Sequence, residues 1–268
     1  EVYYIGHLQQ DLYGQRIIDE FAEAGVDTSQ VVFSDDMITP LASVLVNRLT
    51  GSRTIITRKM QTPPSLTYEQ KLKLDDLAER LIASEEPVTI LIDGHEAEIS
   101  EYLIKKLPNA RVVMDGGSLR ASNIKLAAWT DYFVVSEHFA RDYMSYRSLS
   151  TEAEIKAALI ELNKICRGEA FITLGEKGCA FLKSGMLQIV PSWLCNAVDT
   201  TGAGDVFHGA FTYGVHYSWH IDNIILFASL TAAISIEKKG VRESMPDLAV
   251  VHHSLNSYER NLTQYFEE

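Results

Sequence analysis

The chain has 268 residues, of which 46% are hydrophobic and 22% charged, enough to bury the core of one large α/β domain or of two small ones. Acidic residues outnumber basic ones by 36 to 24, so the formal net charge is −12. This charge, without any run of Lys or Arg, argues against nucleic acid and anionic membranes as partners.

Cysteine spacing and hydropathy indicate the compartment. Cys166, Cys179 and Cys195 are an odd number and have no CxxC spacing, so they predict neither a disulfide framework nor a zinc site. No apolar stretch approaches the roughly 20 residues of a membrane-spanning helix. We therefore expect a cytoplasmic protein.

The first 60 residues predict a strand, a helix and a hairpin. Val2 to Ile5 is typical of a buried strand, and an amphipathic helix is expected from Asp11 or Leu12 to Ala24, ended by Gly25. Two alternating β-rich runs follow, and they predict an antiparallel hairpin over about residues 41–60. This hairpin interrupts the α/β alternation, so it is a candidate lid.

From residue 68 to residue 166, short β runs alternate with helical patterns. Strands are predicted at 88–92, 111–114 and 132–135, and helices at 68–84, 97–107, 139–146 and 152–166. This alternation predicts an α/β fold with a doubly wound, mostly parallel sheet. Ligands of such sheets bind outside the carboxyl ends of the strands. The polar residues that fall there are Asp93, His95, Asp115 and Glu137.

The last hundred residues change rhythm. Residues 169–190 predict three short strands that form an antiparallel edge, and helical patterns follow at 203–218, 222–237 and about 246–264. The chain has no internal repeat and no credible linker, so we expect a single domain over residues 1–268.

The junction DTTGAGD, residues 199–205, joins a predicted strand to a predicted helix. A helix that begins near Ala203 has unpaired N–H groups and a partial positive charge at its start, which favours a bound anion. Gly202 and Gly204 would let an anion approach the backbone, and Asp205 would place a carboxylate beside it. The alternative is a plain capped helix with Thr201 as its N-cap.

DTTGAGD and the residues around it, VPSWLCNAVDTTGAGDVFHGAFTYG from Val190 to Gly214, resemble the C-terminal signature of the ribokinase-like, phosphofructokinase-B type carbohydrate kinases. The resemblance implies a ribokinase-like fold with a β-hairpin lid and an ATP-dependent sugar kinase. It also implies that Asp205 is the catalytic base and that Gly202, Ala203 and Gly204 form the anion hole for the transferred phosphate.

Other segments extend the resemblance over nearly the whole chain. TLGEKGCAFL is similar to the family's nucleotide-side turn, which implies that ATP contacts Thr173, Gly175, Lys177 and Gly178. A plain hairpin turn is the alternative for this segment. The nucleotide and anion-hole half of the domain would then span about residues 169–268.

The segment KKGVRESMP, residues 238–246, resembles the loop that closes the family's cation and nucleotide site. The resemblance makes Asp199, Thr201, Gly240 and Ser244 candidate ligands of a monovalent cation such as K⁺. An Asx-turn at Asp199 is the alternative interpretation.

The segment VSEHFA, residues 135–140, departs from the family's Asn-x-x-Glu pattern. Ser136 stands in place of the Asn and Phe139 in place of the Glu, which leaves Glu137 as the candidate for organising Mg²⁺ and phosphate. This variant resembles the ketohexokinase and sulfofructose kinase branch and favours a ketose substrate. Ser136 as a helix N-cap is the structural alternative.

Asp93 and His95 are candidate sugar contacts, although a lone His at a strand end is more often structural. We expect His208, one turn into the motif helix, to pack in the protein interior.

The family normally begins 40 to 50 residues earlier, with a strand and a Gly-Gly…Asn stretch that hold the sugar, so we expect the native chain to be longer. Lid hairpins of the family often pair between subunits, which suggests a homodimer.

The resulting hypothesis is an ATP- and Mg²⁺-dependent kinase that phosphorylates a hydroxyl of a small sugar, with a ketose or furanose as the expected acceptor. A nucleoside kinase of the adenosine type is the alternative within the family. A non-catalytic sugar- or nucleotide-binding relative is the alternative outside catalysis, and the presence of Asp205 argues against it.

Overall fold

The computed structural model describes residues 1–35, 38–46, 53–58 and 63–255. The chain divides into two compact units. The N-terminal unit comprises Glu1–Glu85 and His95–Lys106, and the C-terminal unit comprises Glu86–Gly94 and Leu107–Glu268. No helix in these described stretches is both long enough and apolar enough to cross a membrane.

In its described residues, the N-terminal unit contains three helices and two small sheets. In chain order its elements are β1 (His7–Leu8), α1 (Leu12–Glu23), β2 (Val32–Phe33), β3 (Ala42–Val46), β4 (Arg53–Thr57), α2 (Tyr68–Ala83) and α3 (Ala97–Lys106). Strands β1 and β2 are parallel, and β3 and β4 are antiparallel.

Local sequence accounts for the helix starts in this unit. The Asp11 carboxylate accepts a hydrogen bond from the Gly14 N–H at 2.7 Å and so caps α1. Helix α2 begins with a capping box formed by Thr67 and Gln70. Gly25 has a φ of 72° just after α1, as predicted for the residue that ends this helix.

The predicted strand at Val2 to Ile5 is wrong. Regular pairing begins only at β1, and before it Tyr3 forms a single bridge to Asp27. Val2 is 62% exposed, so this apolar run does not lie in a buried sheet. The predicted hairpin is present in the pairing of β3 with β4, while its turn, Thr50-Gly51-Ser52, lies outside the described residues.

The C-terminal unit is built on a six-stranded sheet. Its strands are β5 (Thr89–Ile92), β6 (Arg111–Gly116), β7 (Tyr132–Ser136), β8 (Glu169–Thr173), β9 (Cys179–Lys183) and β10 (Met186–Val190). They lie in the order β10-β9-β8-β7-β6-β5. The pairs from β5 to β8 are parallel, and β9 and β10 are antiparallel. The predicted mostly parallel sheet with an antiparallel edge is confirmed.

In the described part of this unit the sheet is accompanied by the helices α4 (Ala121–Ala127), α5 (Glu137–Tyr143), α6 (Glu152–Asn163), α7 (Ala203–His216) and α8 (Ile221–Ser235). Residues 248–255 are also helical. Helix α4 was not predicted from the sequence, because it is short and its N-cap residue, Arg120, makes no side-chain capping bond. Helix α7 packs on β5, β6 and α8.

The core of the C-terminal unit packs helix α7 against the sheet. Residues in the middle of β6, β7 and β8, such as Val113, Val134 and Phe171, have no exposed surface, as expected for parallel strands that are covered on both faces. The ring of Phe211 on α7 packs edge-on against the ring of Phe171, with 5.4 Å between their centroids. This packing fixes helix α7 against the sheet.

Candidate active site

The candidate site lies in the C-terminal unit, where α7 begins near the carboxyl ends of β5 and β6. Asp93 directly follows β5, and Asp115 is the second-last residue of β6. Asp205 lies in the first turn of α7. The carboxylates of Asp93 and Asp115 both act electrostatically on Asp205, so the fold brings together three carboxylates that are far apart in the sequence.

Gly202 is the N-cap of α7, and only glycine suits its position. Its φ is +75°, in the left-handed region that other residues rarely adopt. A Cβ atom at this position would also lie 2.4 Å from Cγ1 of Val241. No side chain caps the helix, so the alternative of Thr201 as the N-cap is wrong.

The start of α7 is open to a ligand. Within the described ranges, no backbone acceptor bonds the N–H groups of Gly204 and Asp205. An ideal Cβ atom on Gly204 would meet no atom within 4 Å. Unpaired N–H groups together with the positive end of the helix dipole form an anion-binding site.

Asp205 is exposed at the surface, yet protein atoms crowd the inner side of its carboxylate. This partial burial is the main reason that its pKa is raised above the ordinary value of 3.8, and the negative charge of Asp115 raises it further. His208 acts in the opposite direction, and Asp93 adds a smaller upward effect. A carboxylate with a raised pKa is a stronger base, which suits a group that takes a proton from an alcohol.

The predicted nucleotide segment follows β8. Gly175–Lys177 form a 3₁₀ turn between the antiparallel strands β8 and β9, and these three residues are exposed. Gly178 has a φ of 100°, and a Cβ atom there would lie 2.0 Å from the Val190 carbonyl oxygen. Thr173 ends β8, with its hydroxyl 3.4 Å from the Val135 carbonyl oxygen. The turn is exposed, and its role in ATP binding stays a prediction.

Three of the four candidate cation ligands are directly connected. The Asp199 carboxylate accepts a hydrogen bond from the Thr201 N–H at 3.1 Å and another from the Gly240 N–H at 3.3 Å. The first bond forms an Asx-turn, and cation binding by the same residues stays a prediction. Ser244 is buried and donates its hydroxyl to the Val241 carbonyl. Asp199 therefore ties the segment before α7 to the loop at residue 240.

Ser136 is the N-cap of α5, as its structural alternative predicted. Its hydroxyl accepts a hydrogen bond from the Phe139 N–H at 3.0 Å and donates one to the Gly117 carbonyl. Helix α5 therefore begins two residues earlier than the predicted start at Phe139. Glu137 becomes its first residue and is half-buried.

Within the described stretches, no three His, Cys, Asp or Glu residues are close enough to hold a metal ion by themselves. Mg²⁺ in nucleotide-dependent enzymes is commonly bound by one or two carboxylates together with substrate phosphates and water. The chemistry of a single carboxylate such as Glu137 is compatible with that kind of site, and its role in binding Mg²⁺ stays a prediction.

Sequence reasoning assigned no role to two residues of this site. Asp115 was placed with Asp93 at the carboxyl ends of the strands, where ligands of such sheets bind, but its effect on Asp205 depends on contacts that the sequence does not show. His208 was expected to pack, and it does lie in the core with 3% exposure, but its ring contacts polar groups of the site. His95 lies in the N-terminal unit and is not among the groups that act on Asp205.

The chain is similar to known carbohydrate kinases. Residues 1–248 match the pfkB family of carbohydrate kinases. The chain is 27% identical over 262 residues to a ribokinase of Lactococcus lactis subsp. lactis, covering 98% of this chain and 82% of the relative. It is 22% identical over 271 residues to fructokinase-2 of Oryza sativa subsp. japonica, covering 94% and 79%.

Solved structures establish the fold. The ribokinase of Giardia lamblia superposes with a TM-score of 0.79 at 20% identity, covering 96% of this chain and 82% of that one. Arabidopsis thaliana ribokinase complexed with ribose and ATP superposes with a TM-score of 0.75 at 21% identity, covering 94% and 80%. The fold is therefore ribokinase-like, and the chain belongs to the pfkB family of carbohydrate kinases, phosphotransferases with an alcohol group as acceptor.

Proposed function

We propose that this protein transfers the γ-phosphate of ATP to a hydroxyl group of a small sugar, with a furanose or a ketose as the acceptor. The observation that carries the proposal is the start of α7. There the Asp205 carboxylate, with its raised pKa, lies beside N–H groups that have no acceptor in the described part of the chain. A base beside an anion site is the arrangement that phosphoryl transfer to an alcohol requires.

Each residue of the junction has a separate task in this proposal. Asp205 accepts the proton of the attacking hydroxyl. The backbone N–H groups at Gly202, Ala203 and Gly204 stabilise the negative charge on the transferred phosphoryl group. The left-handed backbone of Gly202 sets the direction of the first turn, in which the Gly204 N–H is open to a ligand, whereas the Ala203 N–H lies 3.4 Å from the Thr200 carbonyl oxygen.

Nucleotide and cations are assigned to the surrounding loops. Thr173, Gly175, Lys177 and Gly178 would contact ATP. Glu137 would hold Mg²⁺, which neutralises charge on the β- and γ-phosphates when it is bound. The loop of Asp199, Thr201, Gly240 and Ser244 would hold K⁺, whose charge would support the anion hole.

The class of acceptor rests on named relatives and on the Ser136 variant. The relatives include ribokinases, a fructokinase and a deoxyribokinase, whose names specify free sugars. Asp93 and His95 are the proposed sugar contacts, the hairpin of β3 and β4 is the proposed lid, and pairing through that lid would give a homodimer. Ketose preference follows from the variant at VSEHFA, and an adenosine-type nucleoside is the acceptor to be excluded.

The test is ADP release in a coupled assay with Mg²⁺ and K⁺ present. D-ribose, 2-deoxy-D-ribose, D-fructose, further ketoses, sugar acids and adenosine are offered separately, with a no-acceptor control. ADP release stimulated by a pentose or ketose, with mass-spectrometric detection of the sugar phosphate, would support the proposal. If adenosine alone stimulated ADP release, the acceptor would be a nucleoside and not a free sugar. If none of these acceptors stimulated ADP release above the no-acceptor control, the proposal would be contradicted.

A further inference from the structure

His208 is buried next to the start of α7, and both of its ring nitrogens face hydrogen-bond acceptors. Its ring is buried in the C-terminal unit, on α7 one turn after the start of the helix. Nδ1 lies 2.7 Å from the Gly204 carbonyl oxygen, and Nε2 lies 3.1 Å from the Val134 carbonyl oxygen. Nδ1 is also 3.4 Å from a carboxylate oxygen of Asp115.

All three of these neighbours are hydrogen-bond acceptors. A neutral imidazole carries one N–H and one lone pair. In either tautomer, one ring nitrogen would direct its lone pair at a carbonyl oxygen inside the protein, where an unmet polar contact is costly. The imidazolium form has an N–H on both nitrogens and satisfies both carbonyls, and the Asp115 carboxylate balances its charge.

The contact with Gly204 connects this ring to the base. The carbonyl of Gly204 and the N–H of Asp205 belong to one rigid peptide group. A hydrogen bond from Nδ1 to that carbonyl therefore adds to the helical backbone bond in holding the direction in which the Asp205 N–H points, and that N–H is one of the open donors of the anion site.

We infer that His208 is a positioning residue for the transfer reaction, a buried imidazolium that holds the Gly204–Asp205 peptide in place and counterbalances Asp115. This inference rests on the proposed function, because it takes Asp205 as the base. The opposing effects on the Asp205 pKa agree with it: Asp115 and Asp93 raise the pKa, and His208 lowers it. Among the described residues, the Asp115 carboxylate at the end of β6 lies against the ring, and Asp205 of α7 interacts with His208 electrostatically.

The main test is the titration of the Asp205 carboxyl group by ¹³C NMR in the wild-type protein and in His208→Gln. The amide of Gln can still donate one hydrogen bond, but it carries no charge. Losing a nearby opposite charge should move the Asp205 titration midpoint upward by about one pH unit. The acid limb of the kcat–pH profile on the best sugar acceptor should move by the same amount, with the KM for ATP little changed.

Phe211→Leu is the control, because Phe211 is fully buried on the same helix and its replacement loosens packing without changing charge. It should lower thermal stability and leave the Asp205 midpoint where it is in the wild-type protein. An unchanged midpoint in His208→Gln, or an equal shift in Phe211→Leu, would overturn the inference.

A measurement on the unmodified protein covers the case in which His208→Gln does not fold. ¹⁵N NMR of the His208 ring at neutral pH distinguishes an imidazolium, with two protonated nitrogens, from a neutral ring, with one. Two protonated nitrogens support the inference, and a neutral ring overturns it. Neither NMR measurement needs turnover. If the protein phosphorylated no acceptor, the proposed function would be contradicted, and the NMR results would still show whether His208 is charged and acts on Asp205.

Discussion

Asp205→Asn tests the base directly. The substitution keeps the shape of the side chain and removes only its ability to accept a proton. Loss of a general base typically costs about 10²–10⁴-fold in rate, so kcat should fall at least 100-fold. ATP binding should be retained, because Asp205 is one of three carboxylates around an anion site, and removing a negative charge there does not oppose a bound phosphate.

The matched control for this experiment is Asp222→Asn. Asp222 lies in the first turn of α8, as Asp205 does in α7, and it pairs with Lys183 at 3.1 Å on the surface. An exposed pair of this kind contributes about 0–1 kcal/mol, so the control reports the general effect of losing a carboxylate at a helix start. The assay is steady-state sugar phosphorylation together with calorimetric ATP binding. Near-normal turnover in Asp205→Asn, or an equal loss in Asp222→Asn, would refute the reasoning.

Four further predictions concern the same junction. Gly202→Ala should unfold more easily by about 1–3 kcal/mol, because it combines a φ of +75° with a clash against Val241. Gly204→Ala should be at least as stable as the wild type, because its Cβ would meet no atom within 4 Å. The same Cβ would fill the space through which a phosphate approaches the N–H groups, and keeping the phosphate from one anion-hole donor should lower kcat by about 10²-fold. Thermal melts and rates that respond alike in the two variants would contradict this difference. Because the pKa of Asp205 is raised in the folded protein, its ionised form destabilises the fold, and Asp205→Asn should raise the melting temperature at pH 7. This gain should vanish as the pH falls below 3.8, the ordinary pKa, where the carboxyl group is protonated in both the folded and the unfolded state. A gain that persists at pH 3 would be inconsistent with the raised pKa. Turnover should be faster in a K⁺ salt than in the salt of a bulky organic cation at equal ionic strength, and Asp199→Asn should reduce this difference. Equal rates of the wild-type protein in the two salts would contradict the proposed cation site.

The sequence carries the order and type of most elements. Alternating β runs and helical patterns predict the parallel sheet of the C-terminal unit, because buried strands and amphipathic helices have different periods. The DTTGAGD junction predicts the start of α7 within a residue, since two glycines and an acidic residue at a strand-to-helix turn leave a local signal. The failures lie where no such signal exists, at Val2 to Ile5 and at α4, because strand pairing and a short uncapped helix depend on contacts with distant residues.

The environment of Asp205 depends on tertiary packing. Asp93, Asp115 and Asp205 are separated by up to about a hundred residues, and their charges act on one another only because β5, β6 and α7 meet at one edge of the sheet. The pKa of Asp205 is raised because these elements lie close together in space, since desolvation and Coulomb interactions depend on spatial distance and not on separation in the sequence. The same holds for His208, whose role depends on a strand carbonyl 74 positions away in the chain.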